Sequence, residues 1–286
     1  MSDIDVRRDV DVRRDTDVRR DVVYAAPVGY RPLALDLYLP PRPTALCVYL
    51  HGGGWRVGSR RAGPGAAAKW TAPSFFERVA AEGLAVASVD YRLSGEAVFP
   101  AQADDVRAAR RFLADHADEF GLPSASTVWG VSAGGQLAAL AALEQPSTDV
   151  PPALAAVCWY TPSDLDALSA DVAEAGGEPD RSAASREGML VGGALADQPE
   201  LVSAASAVAQ VPTDRQPPPF LFLHGDADRS VPPRQSTRLA DALRAAGGAA
   251  TVELVPGGTH MFPELDDDAT LSLVRRSTQF LLDAVG

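Results

Sequence analysis

A serine between glycines is the first group of residues in this chain whose types and spacing could do chemistry. Residues 130–134 read GVSAG and fit the pattern G-x-S-x-G. A strand-like apolar run (126–132) leads into the serine, and a helical pattern (134–144) follows it. In that context the pattern predicts a sharp strand-to-helix turn that exposes the hydroxyl of Ser132 as a nucleophile. The alternative is a Ser/Gly turn that only caps a helix.

A serine hydroxyl is a weak nucleophile and needs a neighbouring base, for which the chain offers four histidines. His116 lies in a charged helical pattern and is expected on a solvated face. His51 and His224 each end a strand-like run before a glycine, which suggests a structural or site-lining role. His260 lies in a loop between the last strand-like run and the last helical pattern, so it can reach the carboxyl edge of the sheet where Ser132 is expected. His260 is therefore the predicted general base.

The base needs an acid to orient its imidazole. The segment HGDADRSVP, residues 224–232, has a strand end followed by a turn, with Asp226 and Asp228 as candidates. Either aspartate could instead be a turn or capping residue. The chain order serine, aspartate, histidine is the order expected on a parallel sheet with this kind of serine turn.

Three adjacent glycines and a tryptophan, HGGGW at residues 51–55, follow the apolar run 45–50. Reaction at a carbonyl creates an oxyanion, which preorganised backbone N–H groups stabilise, and side chains would block its approach. Gly53 and Gly54, with the N–H of Ala133, are therefore predicted to form an oxyanion hole. The alternatives are a phosphate-binding loop or a plain turn, but the spacing does not fit G-x-G-x-x-G and no Lys-Ser/Thr follows. Trp55 is predicted either to line an acyl pocket or simply to pack.

The elements that must position these residues alternate along the chain. Alternation of strand-like and helical patterns predicts an α/β fold, with a mostly parallel central sheet and helices on both faces. The strand-like runs are 33–39, 45–50, 84–91, 126–132, 154–160, 219–224 and 250–255. The helical patterns are 70–82, 101–119, 134–144, 233–246 and 268–284.

One stretch, residues 165–213, breaks this alternation. It is rich in Ala, Ser, Asp, Glu and Gly and contains no aromatic residue. We expect a small helical insertion over one end of the sheet, within a single catalytic domain that spans 22–286. Because it has few large apolar residues, a broad lipid-binding lid is disfavoured and a small acyl group is expected.

The segment before that domain, residues 1–21, holds a charged six-residue repeat. Residues 3–22 read DIDVRRDVDVRRDTDVRRDV. The repeat is consistent with a tail without regular structure. Its period of two also fits an extended strand that lengthens the first strand of the domain or pairs with another chain. A homo-oligomer formed through the repeat or through a sheet edge is therefore a further expectation.

The charge and cysteine content exclude some classes of protein. The net charge of −12 disfavours binding to nucleic acid. Two cysteines, each inside an apolar run, suggest buried thiols rather than a disulfide framework. There is no apolar signal core and no run of about 18 apolar residues, so a cytoplasmic protein without membrane association is expected.

Five motifs in this order resemble the α/β-hydrolase superfamily. They are HGGGW (51–55), DYRLS…FPAQADDVRAA (90–109), GVSAGGQLA (130–138), HGDADRSVP (224–232) and GGTH (257–260). They are similar to esterases related to hormone-sensitive lipase, and especially to the branch typified by bacterial bifunctional feruloyl and acetylxylan esterases. The resemblance covers about residues 22–285. It implies that Asp228 is the acid and that Asp226 occupies a variable position.

The chain departs from that pattern in three places. The segment before the first core strand is short and charged, whereas many relatives of hormone-sensitive lipase carry a long helical cap. Val131 stands where those relatives usually have Asp, and Gln136 stands where the nearer branch often has His. The resemblance therefore does not specify a substrate. The insertion 165–213 is expected between strands 6 and 7 of the fold.

The resulting hypothesis is a serine carboxylesterase that hydrolyses small-molecule esters, with short acyl groups, through Ser132, Asp228 and His260 and an acyl-enzyme. Neither a metal nor a cofactor is implied. One alternative is an amide-directed hydrolase, similar to arylformamidases or peptidases, that uses the same residues. A more distant alternative is a non-catalytic ligand-binding protein on a hydrolase scaffold.

Overall fold

A computed structural model describes residues 16–286 and contains a single eight-stranded sheet within that range. The strands lie in the order β1-β2-β4-β3-β5-β6-β7-β8. The pairs β1–β2 and β2–β4 are antiparallel, and every other pair is parallel. The strands are β1 (Asp17–Ala25), β2 (Leu33–Leu39), β3 (Ala45–Leu50), β4 (Leu84–Val89), β5 (Ser126–Val131), β6 (Ala156–Trp159), β7 (Phe220–Gly225) and β8 (Ala250–Val255).

Helices cover both faces of the sheet, which confirms the predicted α/β-hydrolase architecture. They are α1 (Phe75–Ala81), α2 (Ala101–Asp115), α3 (Ala117–Phe120), α4 (Ala133–Leu143), α5 (Leu165–Glu174), α6 (Arg186–Val191), α7 (Pro199–Ala205), α8 (Arg234–Ala245) and α9 (Asp267–Asp283). Short 3₁₀ helices occupy Gly65–Lys69, Leu195–Asp197 and Ala207–Gln210.

The central strand β3 shows how the sequence builds two cores. All six of its residues are buried. Leu46, Val48 and Leu50 pack on the face covered by α2, α4 and α8. Cys47 and Tyr49 pack on the opposite face, with α1 and α9. Because successive side chains of a strand point to opposite faces, a continuous apolar run is what a strand covered on both faces requires.

The insertion between β6 and β7 is helical, as predicted, and consists mainly of α5, α6 and α7. Two of these helices begin at polar caps. The Asp164 side chain accepts a hydrogen bond from the N–H of Ala167, and the Ser185 hydroxyl accepts one from the N–H of Gly188. Pro199 is at the first position of α7, where no N–H is needed. Short capped helices can therefore form in a segment that lacks strong apolar periodicity.

The last copy of the N-terminal repeat is part of the sheet. Strand β1 begins at Asp17, so the predicted boundary at residue 21 falls inside a strand, and a tail without regular structure does not describe residues 17–21. The physical reason is an ion-pair network. Arg20 and the backbone N–H of Asp21 both donate to the buried carboxylate of Asp36 on β2, while Arg60 pairs with Asp21 and Asp36. The earlier copies lie outside the described residues.

Over residues 16–286, none of the helices combines the length and the apolar character that crossing a bilayer requires.

Candidate active site

Ser132 lies at a sharp turn between β5 and α4. Its backbone has φ 52° and ψ −122°, a conformation that costs energy for a residue with a side chain. The flanking glycines are required by close packing. A Cβ on Gly130 would overlap the backbone of Gly134, and one on Gly134 would overlap the backbone at the carboxyl end of β3. The turn therefore presents the Ser132 hydroxyl at the edge of the sheet.

Ser132, His260 and Asp228 lie in one hydrogen-bonded chain. The Ser132 Oγ lies 3.0 Å from Nε2 of His260. The other ring nitrogen, Nδ1, lies 2.7 Å from Oδ2 of Asp228. Because a carboxylate accepts hydrogen bonds, it holds the proton on Nδ1 and leaves the lone pair of Nε2 for the serine hydroxyl. This arrangement can deprotonate the serine as it attacks a carbonyl carbon.

The Asp228 carboxylate is buried and held by several donors. Its Oδ1 accepts hydrogen bonds from the backbone N–H groups of Ser230 and Val231, both at 2.9 Å. Burial by itself would raise the pKa of Asp228, but the nearby His224 side chain, the hydrogen bond from His260 and the hydrogen bonds from the backbone outweigh it and hold that pKa well below its usual range. The Asp228 carboxylate therefore stays ionised throughout the usual pH range of a carboxyl group and above it, and it can accept the hydrogen bond from His260.

The second aspartate of this loop has a different partner. Asp226 is exposed, and its Oδ1 accepts a hydrogen bond from the backbone N–H of Gly257 at 2.7 Å. That contact joins the two loops that carry Asp228 and His260. The structure therefore brings Asp228, and not Asp226, to the imidazole.

His224 supports the acid loop, which is the segment 226–233 that carries Asp228. From the sequence, His224 could have had either a structural or a site-lining role. Its ring is fully buried at the end of β7. The Nε2–H donates to the carbonyl of Val231 at 2.7 Å and lies 3.5 Å from Oδ2 of Asp228. The Ser236 hydroxyl lies 2.7 Å from Nδ1. His224 thereby ties the loop around Asp228 to the start of α8.

The remaining two histidines are away from this chain of contacts. His51 is buried, its ring stacks on Tyr91 with centroids 4.3 Å apart, and burial lowers its pKa. His116 stacks on Phe112 in α2. Both contacts are structural.

The predicted oxyanion hole has free donors. Gly53 and Gly54 have φ values of 117° and 59°, which favour glycine. Ala133 is the first residue of α4, where an N–H has no acceptor within the helix. Within residues 16–286, none of these three amides donates to a protein acceptor. They remain available to an oxygen of a bound molecule.

Trp55 belongs to the core, where it contacts Gln136. The sequence indicated no role for Gln136, which was only a difference from the family pattern. The indole is 1% exposed, so it has almost no surface with which to line a pocket. Its Nε1–H donates to Oε1 of Gln136 at 3.1 Å, and the Gln136 amide donates to the carbonyl of Ala205 at 2.7 Å. Gln136 thus links α4, the insertion and the loop after β3 that contains Gly52–Gly54, here called the glycine loop.

Several known proteins are similar to this chain in sequence. The BD-FAE family model matches residues 35–243. Esterase LipC of Mycobacterium tuberculosis is 31% identical over 241 residues, which cover 81% of this chain and 56% of that protein. The ethyl acetate hydrolase of Pseudomonas putida is 30% identical over 249 residues, which cover 80% of this chain and 71% of that protein. The chain spans little more than half the length of LipC and of the esterase LipQ.

Solved structures show the same fold. A truncated form of a carbohydrate esterase from gut microbiota aligns with a TM-score of 0.76 at 26% identity, over 95% of this chain and 97% of that one. An esterase of the bacterial hormone-sensitive lipase family aligns at 0.72 and 23% identity, over 96% and 86% of the two chains. The predicted resemblance is therefore confirmed. The chain belongs to the BD-FAE family and has the α/β-hydrolase fold.

Proposed function

We propose that the protein hydrolyses small carboxylic esters with short acyl groups through an acyl-enzyme on Ser132. The observation that carries this proposal is the continuous hydrogen-bonded chain from Ser132 through His260 to Asp228. Membership of a family of ester hydrolases supports the ester as the bond that is cleaved.

Each atom of that chain has a role in the proposed reaction. The Ser132 Oγ bonds to the ester carbonyl carbon as its proton moves to Nε2 of His260, and the carbonyl oxygen becomes an oxyanion. The carbonyl then reforms, the bond to the alcohol oxygen breaks, and Nε2 returns the proton to the leaving alcohol. Water repeats both steps on the acyl-enzyme and releases the acid. Throughout, Asp228 holds the ring tautomer and stabilises the imidazolium.

The backbone N–H groups of Gly53, Gly54 and Ala133 are proposed to bind the oxyanion. All three are free of protein acceptors in the part of the chain that the structure describes. Such donors act mainly on the transition state and on the tetrahedral intermediate, because negative charge builds up on the carbonyl oxygen only there.

The preference for short acyl groups rests on the insertion. Residues 165–213 contribute no aromatic side chain, so they supply little apolar surface for a long chain. Two of the helices there, α6 and α7, have six and seven residues, too short for an extended hydrophobic lid.

A substrate panel tests this function. We expect p-nitrophenyl acetate and butyrate to have a higher kcat/KM than p-nitrophenyl octanoate, and to be cleaved much faster than an N-formyl anilide or an aminoacyl p-nitroanilide. Release of p-nitrophenol or of the aniline reports each rate. Faster turnover of the amides than of the short esters would show instead an amide-directed hydrolase. An absence of turnover, with no labelling by a fluorophosphonate, would favour a ligand-binding protein.

A glycine substitution tests the oxyanion donors. A Cβ on Gly53 would overlap the carbonyl of Val57, so Gly53→Ala must displace the loop. We expect kcat to fall about a hundredfold or more with a smaller change in KM. In Gly54→Ala the nearest atoms to the new Cβ belong to the flexible side chain of Arg186, with Cδ at 2.7 Å, so this substitution should cost less.

The matched control is Gly29→Ala. Gly29 also has a positive φ, 85°, but a Cβ there meets no atom of residues 16–286 within 4 Å. It imposes similar backbone strain without touching the site. If Gly53→Ala is as active as Gly29→Ala at equal thermal stability, the amide of Gly53 does not bind the oxyanion.

A further inference from the structure

A cavity of about 400 Å³ lies beside the proposed site, within the size range of small-molecule pockets. Arg56 from the glycine loop, Arg186 from the insertion and Arg229 from the acid loop all line it. Two contacts join it to the site. The Arg186 side chain lies against Gly54, and the N–H of Ser230, another lining residue, donates to Asp228. The cavity therefore adjoins both the loop of Gly54 and the loop of Asp228.

The arginines of this cavity are unusual in this protein. Most arginine side chains in the described part of the chain donate to a carboxylate or to a backbone carbonyl, as Arg92 and Arg215 do. Within residues 16–286, those for which neither contact is present are Arg42, Arg56, Arg186 and Arg229. Three of these line the same cavity. Acidic residues outnumber basic ones in this chain, so unpaired arginines gathered at one place need a reason.

Three acidic residues, Glu178, Asp180 and Glu187, also line the cavity but form no ion pair within 4 Å with its arginines. Asp180 accepts a hydrogen bond from the N–H of Ser182. Burial raises the pKa of Glu187, with Arg186 and Arg56 opposing that rise. The electrostatic potential in the cavity is therefore not uniformly positive. Because of this, recognition of an anion there requires direct contact with a guanidinium group.

The other lining side chains argue against a flat apolar ligand. In the described part of the chain, none of the residues that line the cavity is aromatic, so they offer no ring on which an aryl group or a sugar could stack. Its specific donors are the arginine forks, whose planar geometry matches a carboxylate through two parallel hydrogen bonds.

We propose that this cavity binds a carboxylate carried by the ester substrate, away from the bond that is cleaved. The preferred substrates are then half-esters of dicarboxylic acids, or acyl esters of hydroxy acids. This inference rests on the ester hydrolysis proposed above. It assigns to Arg56, Arg186 and Arg229 the selection of charged over neutral esters.

Two matched pairs of esters test the inference. Monomethyl adipate and methyl hexanoate differ by a carboxylate on the acyl side, and 4-acetoxybutyrate and butyl acetate differ by one on the alcohol side. Acid release in a pH-stat gives kcat/KM for each. We expect the charged member of at least one pair to be preferred, and the ratio of charged to neutral to fall about threefold to fivefold in each of Arg56→Gln, Arg186→Gln and Arg229→Gln, because these arginines are exposed.

The control is Arg42→Gln, which removes the same charge from an exposed arginine before the amino end of β3, at the opposite edge of the sheet. Its ratio should match that of the unmodified protein. Added salt should lower the charged-to-neutral ratio of the unmodified protein, since exposed charges are screened. If neutral esters are hydrolysed but the ratio is the same in all four variants, the cavity does not select carboxylates and the proposed function still stands. If none of the four esters is hydrolysed, both proposals fail.

Discussion

Replacing Ser132 with alanine should lower kcat for p-nitrophenyl acetate by about a million-fold, the scale measured when a serine hydrolase loses its nucleophile. The Oγ of Ser132 is the atom that lies 3.0 Å from Nε2 of His260, and the substitution removes it while leaving the base and acid in place. Labelling by a fluorophosphonate should disappear with it. Both losses are measured on the same preparation, by p-nitrophenol release and by the mass of the labelled chain.

The turn itself should survive this change. Ser132 and an alanine in its place have the same strained backbone, and the packing that enforces the turn comes from Gly130 and Gly134. Ser126→Ala, at the start of the same strand, is the matched control and should retain activity. A folded Ser132→Ala protein that still hydrolyses the ester, or still takes up the label, would contradict the proposed mechanism.

Asp228→Asn should lower kcat about ten-thousand-fold, because an amide no longer holds the imidazole in the tautomer that accepts the serine proton. The matched control lies two residues away. Asp226→Asn changes the same functional group in the same loop, but Asp226 is exposed, and within residues 16–286 the one hydrogen bond of its carboxylate is with the backbone N–H of Gly257. We expect Asp226→Asn to stay within a few-fold of the unmodified protein. Equal losses in the two variants would mean that the loop, and not the acid, matters.

The same variant has an expected signature in stability. The pKa of Asp228 is lower in the folded protein than in the unfolded chain, so its stabilising contribution is fully present above about pH 4, the unfolded value, and is lost as the pH falls toward the folded pKa. Denaturant unfolding at pH 7 and near pH 3 measures it. The free energy of unfolding should fall less on acidification in Asp228→Asn than in Asp226→Asn.

The sequence alone determined the parts of this protein that depend on local patterns. The alternation of apolar runs and helical periods predicts the sheet and its helices, because side-chain spacing reports which faces are buried. The turn at Ser132 can also be predicted from the sequence, because its tight packing requires glycine at positions 130 and 134. The insertion can also be predicted from the sequence, because residues 165–213 are rich in Ala, Ser, Asp, Glu and Gly and have little strand character.

The tertiary structure decided which of two residues of the same type contacts a given partner. From the residue types and spacing alone Asp226 and Asp228 were equivalent, and the family resemblance favoured Asp228. In the structure, the loop after β8 brings His260 to Asp228 and Gly257 to Asp226. The joining of the repeat to the sheet depends on Asp36 and Arg60, which are distant in sequence.

The arginine cavity is the clearest case of a feature that no local pattern contains. Arg56, Arg186 and Arg229 come from three segments and have no common motif. Trp55 likewise could be read as lining or packing until its contact with Gln136 placed it in the core. A pattern reports which side of its own element a residue occupies. Which residues from other elements face it across a cleft is decided by how the elements pack.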